Sequence, residues 1–409
     1  MIATQRLQNL IKLYPGQFWL MFTGMLLSTV GTSMIWPFLM IYVSEKLDQP
    51  LAAVAGLLTI NSLVSLGAAF VAGPIADRAG RKWVLVISLI GNGLVYLLMG
   101  QASTLAHFAI LMAFWGLFSP LYRVGGDAML ADLVSPEQRA EAYALLRMSN
   151  NVGIAVGPAI GGFIASSSYS VAFICAASGL TAYGLLLTFF ARETLPEDHK
   201  PKTKARHPFE GYGVVLGDRH FMTATGGFVL SQMCIVPLWV FLSVYVKTNF
   251  GIPENQYGFI AATNAVMVIL FQFAVTQRTK RFAPLPVMAL GTGIYALAIF
   301  SVSLAGSFWG FWLCMVVMTF GELILVPTSS TYTANLAPAD MRGRYMSIYG
   351  LSWGIASGIA SPLVGFLNDN LGPQAIWYGG ALMGFLGVVV FLWLRWRDPE
   401  PESLVNLGG

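Results

Sequence analysis

The stretch that decides the fold is Gly-Pro-Ile-Ala-Asp-Arg-Ala-Gly-Arg-Lys at residues 73–82. It concentrates four charges within six residues of a chain that is 56% hydrophobic and only 10% charged. The apolar runs on either side, residues 51–75 and 83–101, are each long enough to cross a bilayer, which requires roughly 20 residues. The stretch therefore predicts a tight turn between two membrane-spanning helices, with its charges at the water boundary.

Apolar runs recur along nearly all 409 residues, which excludes a soluble globular protein and predicts an all-α membrane protein. The runs are too long for barrel strands and do not alternate between polar and apolar residues. Several are longer than a bilayer requires, so we expect tilts or kinks. The twelve predicted spans are residues 17–43, 51–75, 83–101, 106–131, 140–166, 169–191, 220–248, 256–277, 285–305, 307–335, 342–368 and 372–397.

Basic residues predict the orientation of the spans. Nearly all of them lie on the side that both termini share when the number of spans is even, whereas the opposite side has only Lys46 and Lys247. By the positive-inside rule, both termini are cytoplasmic and the protein lies in the cell (inner) membrane. The net charge of +4 therefore reflects cytoplasmic loops and indicates no nucleic-acid partner. Residues 1–16 are polar and basic and lack the features of a signal peptide.

A polar segment, residues 192–219, is predicted to be a cytoplasmic linker between two six-helix halves, 1–191 and 220–409. The halves are weakly similar at offsets of 200 to 204 residues, as in Gly-Pro-x-x-Gly at 157–161 and Ser-Pro-x-x-Gly at 361–365. Such a parallel repeat predicts a substrate cavity near the membrane midplane, between the halves. Chance matching of glycine and proline among membrane helices is the alternative.

The charged turn at 73–82 has two interpretations. Its acid and its bases can pair with each other or with helix ends of the other half, and such pairs would latch the cytoplasmic side closed. We expect Asp77 to favour the positive N-terminus of the span that begins near Arg342. The alternative is a topology signal combined with helix capping. The predicted cytoplasmic gate consists of Gly73, Asp77, Arg78, Gly80, Arg81, Asp132, Arg139 and Arg342.

The fifth span contains Gly-x-x-x-Gly-Pro-x-x-Gly-Gly. Small residues four apart allow helices to approach closely, and a proline removes one backbone hydrogen bond and bends the helix. Ordinary tight packing is the alternative to a functional motif. The motif residues are Gly153, Gly157, Pro158, Gly161 and Gly162.

Four embedded charges are predicted to couple protons. Arg123, near the middle of the fourth span, would cost about 2.5–3.5 kcal/mol if unpaired, and Asp127, four residues on, lowers that cost. Arg147 lies about two turns inside the fifth span and can meet an acid or extend to water. Glu322 is the only acid well inside a span of the second half, where a desolvated carboxylate could bind a proton near neutral pH. The alternatives are an ion pair that only fixes packing and a permanently protonated Glu322.

The remaining interior residues predict the kind of substrate. An aromatic, methionine-containing cavity with isolated carboxylates suits amphipathic organic molecules, often cationic. A sugar site would normally need more amides and hydroxyls. For any single aromatic residue, packing or contact with lipid is the commoner role. The cavity candidates are Trp36, Asn61, Trp115, Asn150, Gln232, Trp239, Asn264 and Trp353.

Together these motifs resemble the multidrug:proton antiporters of the major facilitator superfamily, and most closely the LmrP-like and MdtH-like exporters. The stretches 126–132 and 321–327 carry that likeness, with the charged turn and the span-5 motif. The resemblance implies a central role for Glu322 in proton coupling and cation binding, and a coupling role for Arg123. Two other embedded acids of that group are absent, since Arg147 and Trp239 occupy the equivalent positions, and residues 28–37 lack a further one.

The predicted function is proton-coupled export of hydrophobic or amphipathic small molecules by alternating access. A dedicated exporter of one metabolite, sugar, siderophore or lipid is the alternative. A sensor or scaffold would need a soluble output domain, and an enzyme would need a nucleotide loop or a catalytic constellation; the sequence shows neither. We expect a monomer in the lipid bilayer, with protons as the coupling ion and with no metal and no other cofactor.

Overall fold

The computed structural model describes residues 13–135, 138–195, 212–338 and 341–397, without the side chains of Asp77, Ala140, Ala144 and Arg342. Over these residues the regular structure is helical and contains no strand. Most of the predicted linker therefore lies outside the described residues. Eleven segments are long and apolar enough to cross a membrane, and Arg139–Ser167 adds a less apolar helix of 29 residues. The predicted all-α membrane class is confirmed.

Between residues 13 and 195, the described residues form seven helices and one short 3-10 turn, Trp36–Phe38. The helices are α1 (Gly16–Ile35), α2 (Leu39–Leu47), α3 (Leu51–Ala79), α4 (Arg81–Met99), α5 (Leu105–Leu133), α6 (Arg139–Ser167) and α7 (Tyr169–Phe190).

From residue 212 to 397, the described residues form nine helices, the first of which is described over six residues. They are α8 (Tyr212–Gly217), α9 (Arg219–Val240), α10 (Leu242–Phe250), α11 (Glu254–Thr279), α12 (Pro284–Val302), α13 (Phe308–Leu336), α14 (Arg342–Gly350), α15 (Ser352–Leu371) and α16 (Ala375–Arg397).

Three predicted spans are formed by two consecutive helices each. The first span is interrupted by the 3-10 turn at Trp36–Phe38, which contains Pro37. The seventh is divided at Phe241, four residues after Pro237, and the eleventh at Leu351. Proline removes a backbone donor and clashes with the preceding turn, so the first interruption has a local cause. Phe241 lies in the turn after Pro237, and its N–H still donates to the Pro237 carbonyl at 2.9 Å. The expected kinks are therefore present.

The chain forms two compact units. Among the described residues, one unit contains 13–42 and 63–195 and the other contains 43–62 and 212–397. Within the second unit, the Ala52 N–H donates to Asp369 Oδ2 at 3.0 Å, and Lys247 Nζ lies 2.6 Å from carboxylate oxygens of both Glu45 and Glu254. These bonds tie residues 43–62 to α10, α11 and α15. The division into halves at 192–219 stays a prediction.

In the first unit, α1 packs against α6 through the glycines of the span-5 motif. A Cβ added at Gly153 would lie 2.7 Å from Thr29 Cβ, and one at Gly157 would lie 2.9 Å from the Val30 carbonyl oxygen. At Gly161 it would overlap the backbone of Met34. The two backbones thus approach more closely than any other residue would allow.

Two further motif residues lie in the same helix. Pro158 is inside α6, and both Pro158 and Gly162 are buried. The motif is therefore a packing surface along α6, which is the interpretation that the sequence left open beside a functional one.

Gly161→Ala should destabilise the protein, because the added methyl group collides with the α1 backbone and overpacking typically costs about 1–3 kcal/mol. Gly67 of α3 is the matched control, since a Cβ there would meet nothing within 4 Å. Gly67→Ala should be neutral or stabilising by up to about 1 kcal/mol. Thermal unfolding of both purified variants measures the difference, and equal transition temperatures would contradict this account of the α1–α6 contact.

Candidate functional site

Three of the four predicted coupling residues line one cavity in the first unit. The cavity has a volume of about 580 Å³, and its lining includes Arg123, Asp127 and Arg147 together with Tyr143 and Asn150. Helix α5 supplies the first two residues and α6 the other three. The side chains of Arg123, Asp127 and Arg147 are exposed on the surface of the described chain.

The charges in this cavity are close but not locked together. Arg123 and Asp127 are four residues apart on α5 and so lie on one face, yet no nitrogen–oxygen distance within 4.0 Å joins these two described side chains. Tyr143 Oη donates to the Asp127 backbone carbonyl at 2.9 Å. Two arginines thus line the same cavity as one acid, and no tight ion pair joins Arg123 to Asp127.

Glu322 occupies a different environment in the second unit. Asn264 Nδ2 of α11 donates to Glu322 Oε2 at 2.6 Å and to Thr319 Oγ1 at 3.0 Å. The Thr319 hydroxyl donates in turn to the Met315 carbonyl at 2.8 Å. Among the described residues, no basic side chain forms an ion pair with Glu322 within 4.0 Å. A neutral amide therefore holds this carboxyl group.

Close packing of α13 against α12 fixes the position of Glu322. A Cβ added at Gly321 would lie 2.8 Å from the Gly291 carbonyl oxygen and 2.7 Å from the Tyr295 ring. One residue later on a helix the side chain points about 100° away, and Glu322 reaches α11. Gln272 of α11 also bonds α13, through the Leu323 carbonyl at 3.1 Å.

The charged turn at residues 73–82 is held within the first unit by an ion pair. Gly80 has φ +91°, a conformation that favours glycine, and it separates α3 from α4. Arg81 forms an ion pair with Asp132, and its Nη1 donates to the Ala128 carbonyl at 3.0 Å. Arg139 Nε donates to the Ala131 carbonyl at 3.1 Å. Both arginines thus complement the negative C-terminal end of α5.

Glu193, just after α7, is part of this turn and was missed by sequence reasoning. Its Oε1 accepts from the backbone N–H of Arg81 at 2.9 Å, and its Oε2 accepts from that of Lys82 at 3.2 Å. The carboxylate thereby caps the N-terminus of α4. Its only signal in the sequence is an acid two residues after a predicted span, next to Arg192.

The other gate residues contribute less to these contacts. Arg78 is exposed and Gly73 is half-buried with open space around it. The side chains of Asp77 and Arg342 lie outside the described residues, so the predicted contact between Asp77 and the helix at Arg342 stays a prediction.

Of the residues predicted to line the substrate cavity, some lie close to one another and others lie apart. The rings of Trp36 and Trp115 are 5.3 Å apart, and Trp115 and Asn150 line a second cavity of about 290 Å³ in the first unit. Asn264 belongs to the Glu322 cluster. Gln232 is buried, Asn61 and Trp239 are half-buried and Trp353 is exposed. Thr319 and Gln272 were not predicted, although Thr319 lies three residues before Glu322 on the same helix.

Metal ligands do not cluster in the part of the chain that the structure describes: it contains no group of three or more His, Cys, Asp or Glu side chains that could hold a metal ion.

Membrane-length helices, an acid within α13 and a charged cavity beside α5 define a multi-span membrane transporter. The chain belongs to the Major Facilitator Superfamily, whose sequence pattern matches residues 21–241 and again 224–408. The predicted resemblance and the predicted major facilitator fold are thereby confirmed.

Similar sequences and a similar crystal structure support the same family. The chain is 26% identical over 399 residues to the "Na(+), Li(+), K(+)/H(+) antiporter" of Planococcus maritimus, covering 88% of this chain and 91% of that protein. It is 27% identical over 398 residues to the "Multidrug resistance protein MdtH" of Cronobacter sakazakii, covering 96% of each. The crystal structure of the nucleoside transporter NupG shares the fold, with a TM-score of 0.80 at 10% identity over 92% of this chain and 99% of that one.

Glu193→Ala should destabilise the N-terminus of α4, because the amides of Arg81 and Lys82 lose their acceptor. Loss of a helix cap typically costs about 1 kcal/mol of stability. Hydrogen exchange by mass spectrometry should show faster exchange in the first turn of α4. Glu193→Gln keeps one acceptor oxygen, so its exchange rate in this turn should lie between those of the wild type and Glu193→Ala. Glu141→Ala, at an exposed acid in the first turn of α6, is the control, and unchanged exchange in Glu193→Ala would refute the cap.

Proposed function

We propose that this transporter exports amphipathic small molecules in exchange for protons, by alternating access, across the cell (inner) membrane with both termini cytoplasmic. The observation that carries the proposal is the bond between Glu322 and Asn264, which gives a carboxyl group within a membrane-spanning helix a neutral partner in place of a basic one.

A neutral partner permits both protonation states of Glu322. The carboxylate accepts the hydrogen bond from Asn264 Nδ2. A protonated Glu322 becomes a donor, and an amide turned by half a rotation offers its carbonyl oxygen as the acceptor. A basic partner would instead keep the carboxylate charged throughout. In this mechanism the proton bound at Glu322 moves down its gradient, and the membrane potential contributes about 2.3 kcal/mol per charge and per 100 mV.

Asp127 is proposed as the second proton-exchanging acid. It shares a solvent-accessible cavity with Arg123 and Arg147, and those cations can take up an anionic partner whenever Asp127 is protonated. The ion pair between Arg81 and Asp132 is proposed to act in the gate, opening when α4 and α5 separate.

The proposed substrate class is supported by one relative and by the aromatic side chains. The relative named a multidrug resistance protein covers nearly the whole chain, and the paired rings of Trp36 and Trp115 offer the apolar, cation-binding surface that amphipathic cations need.

Exchange of alkali cations for protons is the second candidate function. It is favoured by the relative named an Na(+), Li(+), K(+)/H(+) antiporter, which is matched over most of both chains.

Glu322→Gln should abolish uphill export while leaving downhill substrate exchange, because glutamine resembles the protonated carboxyl group but releases no proton. Purified protein in liposomes measures both modes with an ethidium-like dye. Glu141→Gln removes an exposed acid outside the proposed mechanism and is the matched control. Proton-driven accumulation at the wild-type level in Glu322→Gln would remove this residue from the coupling mechanism.

A second experiment separates the two candidate functions. Everted vesicles are energised, and the pH gradient is followed after addition of dye, Na⁺, K⁺ or Li⁺. A drug exporter should release protons on addition of dye alone, whereas a cation exchanger should respond to the metal ions. Parallel loss of the response in Asp127→Asn and Glu322→Gln is expected in either case, and a response that survives both substitutions would refute the proposed coupling acids.

A further inference from the structure

The smaller cavity of the first unit has a composition that the proposed export function does not explain. Helices α1, α4, α5, α6 and α7 enclose about 290 Å³, at the lower limit of cavities for drug-sized ligands, about 300–1,000 Å³. None of the described side chains that line it carries a formal charge. Most of its polar atoms are oxygens of hydroxyl and amide groups.

Four of the hydroxyl groups that line this cavity already donate their hydrogens within the protein. Ser28, Thr32 and Ser119 each donate to a backbone carbonyl of their own helix at 2.9 to 3.2 Å, and Thr29 donates to Asn150 Oδ1 at 3.1 Å. A hydroxyl group has one hydrogen and two lone pairs. What these four groups can still offer a ligand is therefore the lone pairs of their oxygens.

Two further oxygens are buried in the same cavity without a partner. Asn92 is 6% exposed and Tyr96 is 1% exposed. Neither Asn92 Oδ1 nor Tyr96 Oη has a hydrogen-bond partner among the described residues. An unsatisfied buried polar group costs about 1–3 kcal/mol, so a pair of them one turn apart on α4 indicates a ligand.

We propose that this cavity binds an alkali metal cation, Na⁺ or K⁺. The oxygens of those four hydroxyl groups and Asn92 Oδ1 have no hydrogen left to donate, and such neutral oxygens suit a hard cation. Tyr96 Oη keeps its hydrogen and adds its lone pairs. Asn150 also lines the cavity of Asp127, so the bound cation lies beside a proposed coupling acid. The proposal deepens the second candidate function, exchange of alkali cations for protons, and does not depend on export of amphipathic molecules.

Equilibrium binding of ²²Na⁺ and ⁸⁶Rb⁺ to the purified full-length protein in choline chloride tests the site. We expect saturable binding that Asn92→Leu weakens at least about tenfold, or 1.4 kcal/mol. Tyr96→Phe removes only a hydroxyl group and provides a second variant if Asn92→Leu does not fold. Ser88→Ala is the matched control: Ser88 lies one turn before Asn92 on α4, is buried and donates to the Val84 carbonyl at 2.7 Å, but it does not line the cavity.

Three results would overturn the proposal. The first is the absence of saturable alkali-cation binding by the wild type. The second is binding that survives Asn92→Leu and Tyr96→Phe but is lost in Asp127→Asn, which would assign the cation to the charged cavity. The third is displacement of the bound ²²Na⁺ or ⁸⁶Rb⁺ by methylammonium at a concentration far below that needed for Na⁺, K⁺ or Li⁺, which would assign the oxygens to an organic ammonium group. Dye export is measured on the same variants, so failure of export and failure of cation binding are distinguished.

Discussion

A polar group inside a membrane-spanning helix must find its partner within the protein or in a water-filled cavity, and Glu322 is where this constraint is most severe. Its partner, Asn264, comes from a neighbouring helix, and Thr319 completes the cluster. Glycine at 321 and 291 lets α13 approach α12, which sets the direction in which Glu322 points. The hydrogen bonding of Glu322 thus depends on two glycines that have no functional group.

The two units meet the same constraint in different ways. In the first unit, Asp127 lines a cavity together with two arginines, whose positive charges stabilise its carboxylate. In the second unit, the amide of Asn264 binds the Glu322 carboxyl group without an ion pair. An acid among cations responds strongly to their movement, whereas an acid held by an amide responds mainly to its own proton. Under the proposed function, the two environments would serve different steps of one transport cycle.

Patterns local in the sequence predicted the helical class, the charged turn and the position of Glu322, because hydropathy and embedded charge depend only on nearby residues. The glycines at 153, 157 and 161 were recognised as a packing motif, but not α1 as their partner. Pairing of Arg81 with Asp132 and capping by Glu193 join residues about 50 and 110 positions apart, and nothing in the local pattern selects such partners. The interruption at Phe241 likewise depends on how Pro237 is accommodated.

Glu193 has a consequence that follows from its place in the chain. It follows α7 by three residues and accepts from the first amides of α4. The end of α7 and the start of α4 are therefore joined through one side chain, although more than 100 residues separate them in the sequence. Any displacement of the end of α7 moves the acceptor of those amides, so the order of the first turn of α4 reports on the position of α7.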